Sequence, residues 1–461
     1  MSNRFEDAPI GISAAIALGA LILSWVALYN GFPLLFWDSG AYVGLAVDNG
    51  FWWPRSRSYS EFILMLHQER SLWPVIFVQA LIVSHLIYLT TRVVLGRVRA
   101  VALLVLIAGL SVFSTVAWTV AWIMPDIFTP IVVLGLFLLG FATNRMSRVE
   151  AVYIFFLTAV AIHFHNSHVP LALGLLITIV LTRLFLNHGD QRGLLGSTAL
   201  LAGPILLAIS ASLFVNFMAL GRVTLTPNSH FLLLGRWVDD GPAVEYLKDT
   251  CPERNYALCD YLDDLPMKEY IFLWKDYGPV YQAGGFDALS EEAQEIVYGT
   301  LRAYPGSVAF GALRNTSVQF LDFQIGFELL PYAEMTGLTD LIIRIFPDHE
   351  EALASARQDA GTLPVQTNRL IHGSAVVLSG LALLPLFYVE FRRRHRMWLG
   401  LAITTVSALL GNAFITGAMS KIESRYQSRL IWVLVLVVVL GLASWLSHRS
   451  KSAEAVSTPG D

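Results

Sequence analysis

The sequence predicts an all-α integral membrane protein with about ten transmembrane helices and one mainly helical extracytoplasmic domain. Three observations predict it. Of 461 residues, 55% are hydrophobic and only 14% are charged, against about 25% charged in a soluble globular chain. Apolar runs recur at about the 20-residue length that a helix needs to cross roughly 30 Å of hydrocarbon. Charge is segregated: residues 221–368 hold 22 acidic and 10 basic residues, near −12, while the rest of the chain holds 13 acidic and 21 basic, near +8. This composition excludes a soluble enzyme, a disordered chain and a nucleic-acid binder with a broad basic surface.

The apolar runs lie near 10–30, 72–93, 100–119, 124–142, 150–166, 169–187, 197–220, 371–390, 397–419 and 429–447. Helices are expected because lipid offers no partner to a free backbone group, and a closed barrel would alternate polar and apolar residues instead. The spans divide the chain into a membrane module over 1–220, the acidic block 221–368 and a second membrane module over 369–461. With the N-terminus inside, the cytoplasmic connections carry Arg92, Arg97 and Arg99, then Arg145 and Arg148, then Arg183 and Arg192, then Arg392, Arg393, Arg394 and Arg396, with Arg449 and Lys451 at the C-terminus. Every inside loop is basic, so both termini are expected in the cytoplasm of a bacterial inner-membrane protein and 221–368 outside it. The n-region MSNRFEDAP is not clearly basic, so the first span reads as an uncleaved anchor. No dinucleotide glycine fingerprint, phosphate-binding loop or solenoid repeat is present.

Two regions lie outside the membrane. The first external loop, 31–71, holds apolar stretches at 40–47 and 59–66 that are too short to span and read as interfacial helices. Trp37, Trp52, Trp53 and Trp73, with Trp118 and Trp122 from the next external turn, suggest an aromatic belt. In the acidic block, 290–304 and 349–358 have helical spacing with acids early. The two cysteines of the chain, Cys251 and Cys259, are eight positions apart. They form either a local disulfide, if the block faces an oxidising compartment, or a reduced structural pair.

Chemistry-bearing residues cluster on the predicted outer face. Asp38 in FWDSGAY follows the first span, beside Trp37 and Tyr42. A carboxylate there can deprotonate a hydroxyl nucleophile or hold a divalent cation, and it can equally cap the next helix. Asp126 in WIMPD falls at the same membrane depth, with the same two readings. HFHNSH supplies His163, His165, Asn166 and His168 at the outer end of the fifth span. Imidazoles and an amide at one depth suit a phosphate, a sugar or a metal. The spacing is not that of a zinc protease, and the metal stays unassigned. Arg55, Arg57 and Arg70 in the first loop, near Tyr59, and Lys421, Arg425 and Arg429 in KIESRYQSR, beside Tyr426, run against the positive-inside bias. Either they meet a lipid phosphate, for which the planar arginine fork is suited, or they pair locally, as Arg57 with Glu61 or Arg425 with Glu423.

In layout the chain resembles the GT-C superfamily of polyprenyl-phosphate-dependent membrane glycosyltransferases. The resemblance covers roughly residues 1–220: an inside N-terminus, a long first external loop with an early acid in WDSGAY, a run of spans to a seventh, then an external domain. The Arg-Tyr of SRYQSR near the last span adds to it. The resemblance implies a GT-C-like fold and the transfer of a sugar from a polyprenyl-phosphate donor to an envelope lipid, glycan or protein. It implies Asp38 as the catalytic base or a metal- or acceptor-orienting residue, Asp126 as its helper, and Arg55, Arg57 or Arg425 on the departing lipid phosphate; from their place on the same face, Tyr42, Tyr59, His165, Asn166, His168 and Tyr426 are further substrate-binding candidates. The family's frequent paired acid is absent, because Ser39 follows Asp38. A membrane lipid and the lipid-linked sugar are the expected partners, and nucleic acid is not. Two other readings are a non-catalytic membrane assembly protein that uses the acidic block to bind a partner, and a lipid-linked glycan transporter. The transporter reading calls for midplane charges and duplicated halves, and neither is found.

Overall fold

The computed structural model describes residues 9–53, 55–186, 191–326 and 329–457. The n-region before Pro9 lies outside the described residues, as do the side chains of Arg192 and Lys451. Among the described residues the fold is all helical, with 23 α-helices and one isolated parallel bridge, Leu34–Trp122, in place of any strand.

Six helices are long and apolar enough to cross a membrane: Trp73–Leu95, His168–Leu186, Thr198–Leu220, Val365–Arg392, Arg396–Ala418 and Ser424–Arg449. They mark an integral membrane protein and correspond to six of the ten expected spans. The other four runs form shorter apolar helices. Pro9–Leu23 is followed by the separate six-residue helix Trp25–Asn30, and Ala100–Phe113 by Val116–Ala121. Phe128–Phe141 follows a short 3-10 turn, and Arg148–His163 ends at the histidine cluster. The breaks have local causes. Ser24 turns its hydroxyl back on Ala20 O (2.9 Å), and Ser114 does the same to Leu110 O (2.6 Å). Such back-bonding offers the backbone an alternative to the helical ladder.

The described chain divides into two compact units. One comprises the residues up to Ser212, Gln324–Leu409 and those from Ser428 on; the other comprises Leu213–Phe323 and Leu410–Gln427. In the first unit the apolar helices approach closely where side chains are small. Without a hydrophobic force between helices in lipid, such packing holds bundles together. A Cβ on Gly135 would collide with the buried Thr158, and one on Gly140 would lie 2.6 Å from Ile179. At the basic end, a capping box of Ser147 and Glu150 starts Arg148–His163 (Glu150 N–H to Ser147 Oγ 3.2 Å, Ser147 N–H to Glu150 Oε2 2.8 Å). Glu150 also receives a two-pronged bond from Arg92 (2.8 and 2.9 Å), which ties that helix to the end of Trp73–Leu95.

Residues 31–71 contain the two expected helices, Trp37–Val47 and Arg57–His67. The tryptophans divide. Trp37 is 49% exposed, whereas Trp118, Trp122 and Trp53 are buried. Trp118 meets Trp25 edge-on at 6.4 Å and Trp122 meets Phe36 at 6.4 Å, so these rings pack protein against protein rather than forming a belt.

In the second unit, His230–Asp240, Pro242–Thr250 and Ser290–Ala303 enclose a core of Phe231, Leu234, Leu247 and Ile296. Buried Arg236 bonds Asp240 (2.9 and 3.2 Å), which also accepts from Arg314 and Asn315 (2.6 Å each). Cys251 and Cys259 are joined as a disulfide, with a Cα separation of 5.7 Å.

Two outcomes follow from this packing. Gly135→Ala should destabilise the protein by about 1–3 kcal/mol through overpacking, while Gly109→Ala, which meets nothing within 4 Å, should not; thermal unfolding of the purified full chain compares them. His67, buried against Phe346 with its Nδ1 accepting the Glu69 N–H (3.0 Å), has its imidazole pushed down by burial to about 4. The unfolded chain takes up that proton first. The stability contributed by neutral His67 is therefore complete above about pH 6.5 and declines as the pH falls towards 4, by at most ~1.4 kcal/mol per pH unit. Melting curves of His67→Gln over that range should show a shallower decline than the parent.

Candidate functional site

Three connections assemble the segments of the first unit that carry the two acids. The first is the parallel bridge: Leu34 N–H donates to Ala121 O (2.9 Å) and Ile123 N–H to Leu34 O (3.1 Å). Parallel pairing sends both chains the same way, and Asp38 and Asp126 each follow four residues after their bridge partner. The second is Gln79, buried within an apolar helix. Its Nε2 donates to Val120 O (3.1 Å) and Trp122 O (3.2 Å), while its Oε1 accepts from the Tyr59 hydroxyl (2.9 Å). The third is Gln358. Its side chain bonds both backbone groups of Leu35 (3.1 and 2.7 Å), and its N–H donates to Asn30 Oδ1 (2.7 Å). Buried amides that satisfy backbone in this way fix a loop as firmly as secondary structure would.

On this frame stand two carboxylate–arginine pairs. Asp38 occupies the second position of Trp37–Val47 and pairs with Arg55. The local turn is closed by other groups, with Phe36 N–H donating to Ser39 Oγ (3.0 Å), so Asp38 is not the N-cap residue that its sequence context allowed. Its charge still lies at the favourable end of the helix. Arg55 also lies over the Trp52 ring, 5.3 Å from its centroid. Asp126, in the 3-10 turn Pro125–Ile127, pairs with Arg429 at 3.1 Å, the two side chains being 3% and 1% exposed. Arg429 also reaches Ser167 Oγ (3.4 Å), which shares a hydrogen bond with His165 Nδ1 (2.8 Å). Asp126, Arg429, Ser167 and His165 are therefore one connected polar chain.

Tyr42 and Tyr59 are both buried and meet edge-on, with ring centroids 5.1 Å apart. Burial drives the Tyr59 hydroxyl well above its ordinary range, and the nearby Tyr42 and the Asp126 carboxylate push it the same way.

Of the other sequence-predicted residues, His168 adjoins this polar chain, its ring centroid 5.2 Å from that of His165. Arg57 is taken up by Glu61 (2.9 Å) and Asn49 (2.6 Å), the local pairing that its spacing allowed. His168 is buried, with Nδ1 donating to Ala161 O (2.7 Å) and Nε2 meeting Thr129 Oγ1 (2.8 Å), so it joins helices. His163 bonds Ser212 (2.8 Å) and Ser58, and Asn166 is exposed. Arg425 and Tyr426 belong to the second unit; Arg425 lies 5.2 Å from the Tyr426 ring centroid, and Glu423 pairs with Lys421 (2.7 Å). Among the described residues no three His, Cys, Asp or Glu side chains converge as metal ligands, and each of the two acids is turned to an arginine.

Sequence reasoning missed Gln79, Gln358 and Ser167, and it missed Arg429 as the partner of Asp126, 303 positions away. A lone amide inside the run 72–93 and an arginine opening the run 429–447 were the signals available.

Removing one member of a buried ion pair strands the other. Arg429→Met should destabilise the protein by about 3–5 kcal/mol, and Asp126→Leu combined with it should recover most of that loss; a double-mutant cycle in denaturant reads the coupling. No protein-family model, curated protein or solved structure matches this chain.

Proposed function

We propose that the protein is a membrane glycosyltransferase that moves a sugar from a polyprenyl-phosphate donor to an acceptor on the extracytoplasmic side, with a GT-C-like arrangement of its spans. One observation carries this reading. Asp38 and Asp126, each paired with an arginine, stand on segments that run side by side through the Leu34–Trp122 bridge, in a chain with six helices long and apolar enough to hold it in a bilayer. Carboxylates at such a surface suit a proton-accepting role, and arginines suit a phosphate leaving group. The disulfide Cys251–Cys259 fits an oxidising compartment for the acidic block.

In this reading the acceptor hydroxyl attacks the anomeric carbon of the lipid-linked sugar. Asp38 takes the hydroxyl proton as the new glycosidic bond forms. The bond from the anomeric carbon to the lipid phosphate oxygen breaks, and the phosphate departs with the electron pair. Arg55, beside Asp38, is placed to meet the charge that develops on that phosphate. Asp126 and Arg429 hold the neighbouring loop, His165 offers a hydrogen bond to a sugar hydroxyl, and the buried Tyr42 packs behind the site against Tyr59. A single displacement inverts the anomeric configuration.

One observation favours a non-catalytic assembly protein instead: each acid already has an arginine partner. Asp38→Asn separates the two readings. The transferase reading expects at least a hundredfold loss of glycan product, accumulation of the lipid-linked sugar, and a normal amount of protein in the membrane. Undiminished product would leave the assembly reading standing.

A further inference from the structure

A second site of different character lies at the other end of the same helices. From Gln79 to Val94 along Trp73–Leu95, and from Arg429 to Ser444 along Ser424–Arg449, is 15 residues, or about 22 Å of helix axis. There an open cleft of about 510 Å³ is lined by Arg393, Arg394, His395, Ser444, Ser447 and His448, with Val94 and Leu95 as an apolar wall. Three of the candidate spans finish at this cleft: Trp73–Leu95, Val365–Arg392 and Ser424–Arg449.

The charge at the cleft is unbalanced. Glu390 is fully buried beside it, and its oxygens accept from Arg393 (2.6 Å) and His395 Nδ1 (2.8 Å). That carboxylate is matched, whereas Arg394 is exposed and, among the described residues, pairs with no carboxylate. The backbone at Arg394 is unusual. Val365–Arg392 closes with His395 N–H on Glu390 O (3.0 Å) and Arg394 N–H on Phe391 O (3.0 Å), and Arg394 has φ +54°. This is the left-handed closing position of a helix, where glycine is the residue of lowest cost. An arginine is held there at a modest backbone cost, as Gln68 is at the close of Arg57–His67.

We propose that this cleft binds the phosphate headgroup of an anionic phospholipid. Planar guanidinium forks and serine hydroxyls suit a phosphate diester, the apolar wall suits the start of the acyl chains, and the cleft lies where helices of bilayer-spanning length end. The site is independent of the transferase reading and shares no residue with it.

The test is thermal unfolding of the full-length protein in detergent, titrated with dioleoyl-phosphatidylglycerol, with dioleoyl-phosphatidylcholine or with inorganic phosphate. Phosphatidylglycerol alone should raise the midpoint. Arg394→Gly should melt no lower than the parent in the absence of added lipid, because glycine suits the backbone, yet weaken the apparent affinity for phosphatidylglycerol about tenfold. Arg148→Ala, which removes one exposed arginine from outside the cleft, should leave that affinity within twofold. Undiminished binding by Arg394→Gly overturns the proposal. An equal loss in Arg148→Ala also overturns it, by showing diffuse surface charge, and stabilisation by inorganic phosphate to the same extent overturns the assignment to a lipid.

Discussion

The buried pair Asp126–Arg429 is the contact on which one end of the first unit depends. Two charges almost wholly removed from water are tolerated only when each satisfies the other. Meeting that condition forces the start of the last long helix against the turn that precedes Phe128–Phe141. From there the constraint spreads. Arg429 reaches Ser167 and through it His165, while Thr115 donates its hydroxyl to Ser428 O. The Leu34–Trp122 bridge then brings the first external loop alongside, so that Asp38 arrives on a segment already set by Asp126.

The same end is assembled almost wholly by polar side chains acting on backbone. Gln79 holds Val120, Trp122 and Tyr59, and Gln358 holds Leu35 and Asn30. In an apolar bundle such amides are expensive to bury and directional once buried. They therefore determine which loop lies where, while the glycine contacts determine how closely the helices approach. The arrangement separates two tasks: small residues set the packing, and buried amides set the position of the acids. At the far end of the same helices the chemistry changes to a surplus of arginine around Glu390, in keeping with a bilayer whose two faces differ in charge.

Local features were legible in the sequence because they rest on spacing and composition. The long apolar runs, the helices within the first external loop and the helix beginning at Ser290 all follow from periodicity and capping. Asp38 and Asp126 were visible as acids beside apolar runs, and the pairing of Arg57 with Glu61 as an i,i+4 contact. What was not legible is long-range. The partner of Asp126 lies 303 residues away and that of Leu35 lies 323 away, and nothing local distinguishes Arg429 from Arg425, or Gln358 from any other glutamine. Trp118 and Trp122 misled for the same reason. A tryptophan next to an apolar run suits the membrane interface and a protein core equally well, and here Trp25 and Phe36 decide the matter.

The proposed function requires that the segments carrying Asp38 and Asp126 together face a polyprenyl-phosphate-linked sugar. Photocrosslinking of the membrane-embedded full chain with a donor analogue bearing a photoreactive group next to its phosphate tests this most directly. The account predicts label on peptides that contain Asp38 or Arg55 and on the peptide that contains Asp126, displaced by unlabelled donor. Label found only on other parts of the chain, or not displaced by donor, would contradict it.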